Sequence, residues 1–169
     1  MNKSIWEGFL LNKNNCKPNK DLKTNVAIIG AGITGILTAK SLIENGIECI
    51  LLEAKSACSG VTQNTTAKIT SQHNLIYNKL IKNVGYENAQ KYLMANESAV
   101  KKFKEICQNI DCDFTESSSF VYSLDNKEKI EQEVLAVNSL GLNAEFTNKT
   151  ELPFKVKGAI KFNNQAHFN

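Results

Sequence analysis

The sequence predicts an α/β protein: a strand–turn–helix–strand unit first, then the start of an α+β segment that the chain leaves incomplete. Three observations carry this. Residues 26–54 place a glycine-rich turn between apolar runs, residues 86–110 hold a long helical pattern, and residues 114–124 alternate aromatic or aliphatic residues with Ser and Thr.

Val26 to Ile29 is continuously apolar, the pattern of a parallel strand buried on both faces. The glycines Gly30, Gly32 and Gly35 follow at once. Ile33, Ile36, Leu37, Leu42 and Ile43 then recur at helical spacing, and Asn45-Gly46 supplies a helix stop. Ile47 to Leu52 is a second apolar run ending in Glu53. The sum is a Rossmann-like βαβ unit with a right-handed crossover.

Residues 54–70 are rich in Ser, Thr, Gly and Asn and read as a loop. Leu75, Ile76, Leu80 and Ile81 mark a short amphipathic helix broken at Gly85. The next helix puts Ala89, Leu93, Val100, Phe103 and Cys107 on one face, opposite Lys91, Lys101, Lys102 and Lys104. Beyond Asp111, strands are expected near 114–124, 143–146 and 156–162, with a helix over 126–140 carrying Ile130, Val134, Val137 and Leu140 inward. The predicted organisation is an N-terminal arm (1–23) anchored by Trp6, a first cofactor-binding part (24–110), and the start of a substrate or cap domain (111–169).

Composition narrows the function classes. At 42% hydrophobic residues the chain can bury a core, so disorder is not its expected state. The net charge is only +3 and all 20 basic residues are Lys, so the bidentate Arg contacts typical of nucleic-acid readers cannot be made. No nucleic-acid partner is expected. Five cysteines without a CxxC pair favour neither a disulfide framework nor a metal site. The apolar run at 26–39 is too short and too glycine-broken to span a bilayer, so no membrane association and a cytoplasmic location are expected.

The glycine turn carries the chemistry. Gly30 permits the sharp exit from the strand, Gly32 lets the backbone approach a pyrophosphate, and Gly35 lets the helix pack on the strand. Ile33 and Thr34 lie at the helix N-terminus, which favours a phosphate. Glu53, eighteen residues after Gly35, can accept hydrogen bonds from both adenosine ribose hydroxyls, and it disfavours a 2′-phosphate. These features suit FAD and NAD alike.

The next loop separates the two. "SGVTQNTTAKITSQH", residues 59–73, resembles the second flavin-contacting segment of FAD-dependent oxidoreductases of the D-amino-acid oxidase and glycine oxidase superfamily. It looks most like a DadA-like branch often fused to a C-terminal Rieske iron–sulfur domain. Ser4-Ile5-Trp6, "DCDF" at 111–114, Phe120 to Tyr122 and "KGAIKFNNQAHFN" at the end extend the resemblance over most of the chain.

The resemblance implies FAD as cofactor. Gly30, Gly32, Ile33, Thr34 and Gly35 would hold its pyrophosphate, Glu53 its ribose, and Ala54 and Lys55 would line the adenine side. Gly60, Val61, Thr65, Thr66 and Ala67 would pass beneath the diphosphate and ribityl chain. Lys68, Gln72 and His73 are the polar residues expected nearest the flavin, each with a purely structural role as its alternative. Asn64 stands where many members of the branch have His, so no covalent flavin link is expected. The implied function is oxidation of a small-molecule amine or amino acid by hydride transfer to flavin.

Proteins of that superfamily are much longer, so the 169 residues are expected to be an N-terminal fragment, inactive alone, that lacks a C-terminal region and any Rieske domain in it. No catalytic residue is identified and no metal ligand is expected. An NAD-dependent dehydrogenase domain and a non-catalytic, truncated dinucleotide- or partner-binding module remain the alternatives.

Overall fold

The computed structural model describes residues 21–168. The Trp6 anchor and nearly all of the arm lie outside them. The chain divides into two compact units, 1–66 and 67–169.

The first unit contains β1 (Val26–Ile29), α1 (Ile33–Glu44) and β2 (Cys49–Leu52). β1 and β2 pair in parallel from Val26 opposite Cys49 to Ile29 opposite Leu52, and the Gly30 N–H extends the ladder by donating to Leu52 O at 2.7 Å. α1 closes in a Schellman motif. Gly46 N–H donates to Ile43 O at 3.0 Å and Ile47 N–H to Leu42 O at 2.9 Å, with Gly46 at φ +71°. The Asn-Gly stop of the sequence thus satisfies two terminal carbonyls.

β1 departs from the expectation of burial on both faces. Val26 and Ile28 are half-buried while Ala27 and Ile29 are exposed, Ile29 at 88%. Among the described residues of this unit β1 pairs only with β2, and α1 covers one face of that pair, so alternate side chains meet solvent.

The second unit contains β3 (Lys68–Ile69), α2 (Tyr77–Val84), α3 (Tyr86–Cys107), β4 (Thr115–Ser123), α4 (Lys127–Ser139), β5 (Ala144–Thr147) and β6 (Gly158–His167). Its sheet is antiparallel and centred on β6, which pairs with β4 along one edge and with β5 and β3 along the other. A register shift between Ser117 and Ser119 lets β4 follow the full length of β6. Together the units form an α/β, Rossmann-like fold with one parallel and one antiparallel sheet.

Tyr77, Ala89, Leu93, Ile130, Val137, Leu140, Ile160 and Phe162 form a core shared by all three helices and β6. The i, i+3, i+7 pattern of α4 delivers Ile130 and Val137 to it as the periodicity predicts. Because α2 and α3 share this core with β4 to β6, packing is continuous across residues 110–111. The strand at Lys68–Ile69 falls where the sequence predicts a loop. Two residues are too short to show a period, and it is pairing with Ala166 and His167 that makes them a strand.

Candidate functional site

The first unit gathers the glycine turn, the end of β2 and the loop that follows. Gly30 stands at φ +100°, a left-handed conformation that favours glycine. Gly35 is required by space, because a Cβ there would lie 1.9 Å from Gly30 O. Gly32 differs from both. It has extended backbone, φ −79° and ψ −178°, and a Cβ would meet only the Thr62 hydroxyl at 3.2 Å. The torsions there suit any residue, a Cβ would require the Thr62 hydroxyl to give by a few tenths of an ångström, and the missing side chain leaves the backbone open to close approach.

Gly32 caps α1 without any side-chain hydrogen bond, and the first turn of α1 carries no acidic residue. The positive end of the helix is therefore not neutralised by its own sequence. Ile33 and Thr34 are both exposed at this end. Such an N-terminus next to a side-chain-free residue suits a phosphate.

Glu53 reaches back from the end of β2. Its carboxylate accepts the Ala31 N–H at 2.9 Å and the Lys55 N–H at 2.8 Å. The Lys55 and Ala31 backbone hydrogen bonds, in that order, hold its carboxyl below the ordinary value. One N–H on each oxygen leaves lone pairs on both for further donors such as vicinal hydroxyls. Glu53, Ala54 and Lys55 are all exposed.

The loop after β2 folds onto the turn. Cys58 N–H donates to Ala31 O at 2.8 Å, and Ile33 N–H donates to Thr62 Oγ1 at 3.2 Å. Gly60 is at φ +72° and Val61 is 87% exposed. Asn64 closes the loop through Nδ2 to Gly60 O at 2.8 Å. Thr65 and Thr66 are exposed at the end of this unit. Ala67 opens the second unit at φ +49° and accepts the Phe168 N–H at 3.3 Å.

Thr62 lies inside the 59–73 segment but is not among the residues that the sequence marks for the cofactor. Its signal is weak, one Thr among several. Only the fold shows that this hydroxyl, and not its neighbours', lies against both Gly32 and Ile33.

The second unit assigns the "TSQH" segment an internal role. Gln72 is 5% exposed, donates through Nε2 to Ile160 O at 3.3 Å and accepts from Ser119 Oγ at 2.6 Å, so both ends of its amide brace the sheet. His73 Nε2 lies 3.2 Å from Asn96 Oδ1 with its ring edge-on to Tyr92. Lys68 is exposed.

Ser71, fully buried, receives the Tyr77 hydroxyl on its carbonyl, gives its N–H to Gln165 Oε1 at 2.7 Å and its hydroxyl to Glu97. Glu133, 2% exposed, accepts the N–H groups of Tyr77 at 2.6 Å and Asn78 at 3.0 Å, capping α2 from α4. Its sequence signal was available: a carboxylate three residues after Ile130, on the apolar stripe of α4. Among the described residues no cluster of His, Cys, Asp or Glu could hold a metal ion, and no helix is long and apolar enough to cross a membrane.

The family model described as FAD dependent oxidoreductase matches residues 25–169. A Bacillus subtilis (strain 168) protein, provisionally named Rieske 2Fe-2S iron-sulfur protein YhfW, is 36% identical over 154 residues, covering 89% of this chain and 30% of that protein. The chain thus spans under a third of the length of this curated relative. Among solved structures, glycine oxidase from Bacillus cereus ATCC 14579 matches with a TM-score of 0.57 at 19% identity, over 86% of this chain and 40% of that one. L-amino acid deaminase from Proteus vulgaris matches at 0.62 and 16% identity, over 96% of this chain and 37% of that one. At these identities the two structures show a shared fold.

Proposed function

Because the chain belongs to the FAD-dependent oxidoreductase family, of the D-amino-acid oxidase and glycine oxidase superfamily, we propose that its first unit holds the adenosine diphosphate part of FAD. A full-length enzyme of this family built on such a unit would oxidise a small amine or amino acid. The observation that carries this is the pairing of Gly32, around whose missing side chain only the Thr62 hydroxyl lies close, with an α1 N-terminus whose first turn holds no acidic residue. A pyrophosphate fits there: it needs donors and close backbone approach, and the turn offers both. Glu53 would take the ribose hydroxyls on its remaining lone pairs, with Ala54 and Lys55 on the adenine side. Gly60, Val61, Thr65, Thr66 and Ala67 would continue beneath the diphosphate and ribityl chain.

When bound, FAD supplies the hydride acceptor for the carbon bearing the amine. This chain's own residues supply binding and orientation. Glu53 also orders the turn, since its two backbone hydrogen bonds fix Ala31 and Lys55 on either side of it. Residues 24–110 would then be the first part of the FAD domain and 111–169 the start of the substrate domain, the two joined through the core that α2 and α3 share with β6. Membership of the branch fused to Rieske domains is supported by the name of the Bacillus subtilis relative.

Purification tests the proposal. Yellow protein that releases flavin on denaturation is the expected result. Thermal stabilisation by NAD, with no bound flavin, would overturn it in favour of a dehydrogenase domain. No response to either nucleotide would overturn it in favour of a non-catalytic module.

A further inference from the structure

The C-terminus of α1 presents the one Asn-Gly pair of the sequence, Asn45-Gly46, to solvent. In such a pair the backbone nitrogen of the second residue reaches the side-chain carbonyl of the first with least hindrance, because glycine brings no side chain into the approach. Gly46 stands in the open, with nothing within 4 Å of where a Cβ would be. Both reacting groups are nonetheless tied to the helix end. Gly46 N–H donates to Ile43 O at 3.0 Å, Asn45 Nδ2 donates to Ser41 O at 2.8 Å, and Ile47 N–H donates to Leu42 O at 2.9 Å just beyond them. This last turn is weakly anchored: Ile43 is 66% exposed, and no basic residue there faces the negative end of the helix. By contrast, Asn138-Ser139 lies inside α4, where both ends of the Asn138 amide bond to the Ala144 backbone, at 2.7 and 3.1 Å.

We propose that Asn45 is a spontaneous modification site, converted to aspartate and isoaspartate by water at a rate set by the opening of the last turn of α1. The Gly46 nitrogen gives its proton to solvent and attacks Asn45 Cγ. A bond forms between that nitrogen and Cγ, the bond from Cγ to Nδ2 breaks, and Nδ2 leaves as ammonia with a proton taken from solvent. The product is a five-membered succinimide. Water then adds to one of its two carbonyls. Attack at Cγ breaks the new bond and leaves an aspartate in a normal main chain. Attack at the backbone carbonyl breaks the original peptide bond instead and leaves isoaspartate, linked to Gly46 through its side chain. In sum one amide and one water become one carboxyl and one ammonia, with no oxidation or reduction.

The fold sets the rate, and the product alters the fold. Ring closure requires the Gly46 nitrogen to leave Ile43 O and the Asn45 amide to leave Ser41 O, an opening confined to a helix end that does not need the unit to unfold. Either product then weakens the cap. Aspartate loses the donor to Ser41 O and places a negative charge at the negative end of α1. Isoaspartate adds a carbon to the main chain, so the two hydrogen bonds from Gly46 and Ile47 that close the helix no longer fit together. Ile47 leads into β2, so the damage reaches the connection on which the parallel pair depends. None of this rests on the cofactor reading of the same unit.

One tryptic peptide, Ser41 to Lys55, contains Asn45 as its sole side-chain amide. The full chain is aged in mildly alkaline buffer and, in parallel, in concentrated urea, then digested and weighed, with isoaspartate identified by enzymatic methylation. The expected result is that both products form in the folded chain, roughly 10- to 100-fold more slowly than in urea, the retardation of a helix end that opens locally. The thermal midpoint of the first unit is expected to fall in aged wild type and to hold in aged Asn45→Gln, whose longer side chain forms the corresponding ring far more slowly. Equal rates in buffer and urea would show that the cap does not gate the reaction, and conversion in urea alone would show that the folded chain does not undergo it. An equal fall of the midpoint in aged Asn45→Gln would place the damage elsewhere. Each of these three results would overturn the proposal, and the two wild-type rates decide even if the variant fails to fold.

Discussion

The Thr62 hydroxyl accepts the backbone N–H of Ile33 at 3.2 Å and lies 3.2 Å from where a Gly32 Cβ would stand. The loop after β2 thus delivers one polar atom to the point where helix N-terminus and glycine turn meet. Under the proposed function that atom lies beside the pyrophosphate. Thr62→Val is expected to fold normally and to weaken FAD binding by about 3- to 30-fold, the equivalent of one hydrogen bond, with Thr62→Ser restoring it. Flavin titration of the three proteins checks this, and equal dissociation constants would place Thr62 outside the cofactor site.

Gly35 is predicted to be the least tolerant glycine of the turn. A methyl group 1.9 Å from Gly30 O cannot be absorbed by a rotamer change, because the obstacle is backbone. Gly35→Ala should cost about 3 kcal/mol or more, read as a lowered denaturation midpoint for the first unit. A variant as stable as wild type would show that α1 and β1 do not pack as closely as described.

Glu53 makes acid stability depend on the turn. Its folded-state pKa lies below the ordinary 4.5, first through the Lys55 and then the Ala31 backbone hydrogen bond. Such a group contributes stability that is present above the unfolded value and lost as pH falls through the folded one. Glu53→Gln should therefore be less stable than wild type at about pH 6, with the gap closing towards about pH 3. Thermal melts across that range check it. A gap that stays constant with pH would contradict the stated role of the charge.

Tyr77 gives the opposite limb in the second unit. Burial, reinforced by Tyr92, Glu97 and Glu133, raises its pKa well above 10.0, and its hydroxyl donates to the Ser71 carbonyl. Stability from the neutral phenol is complete below the unfolded value and lost as pH rises beyond it. Tyr77→Phe should cost about 1–2 kcal/mol at neutral pH and flatten the decline above about pH 10. Urea midpoints at stepped alkaline pH are the check; an equally steep decline in the variant would refute it.

Much of the first unit was legible because its signals are local. The Val26–Ile29 run, the glycine spacing and Asn45-Gly46 each fix a nearby backbone geometry, and all three elements formed where that geometry predicts. What could not be read depends on partners distant in sequence. Gln72 looked available to a ligand until Ile160 and Ser119 were placed around it. Glu133 became a cap only when α4 met α2. Thr62 gained significance from a loop conformation that no periodicity encodes. Ile29, apolar in sequence, is exposed because a strand pattern does not state how many neighbours the strand will have.

The most direct test of the central claim uses Gly32→Ala, since the torsions at Gly32 suit alanine and only Thr62 need give way. FAD titration by flavin fluorescence is run on wild type and variant, with circular dichroism on the same samples. The account predicts saturable FAD binding by wild type and a loss of roughly a hundredfold or more in the variant, the scale of a steric block at a phosphate contact, with unchanged dichroism. A folded Gly32→Ala protein that binds FAD as wild type does, or a folded wild type that binds none, would contradict it.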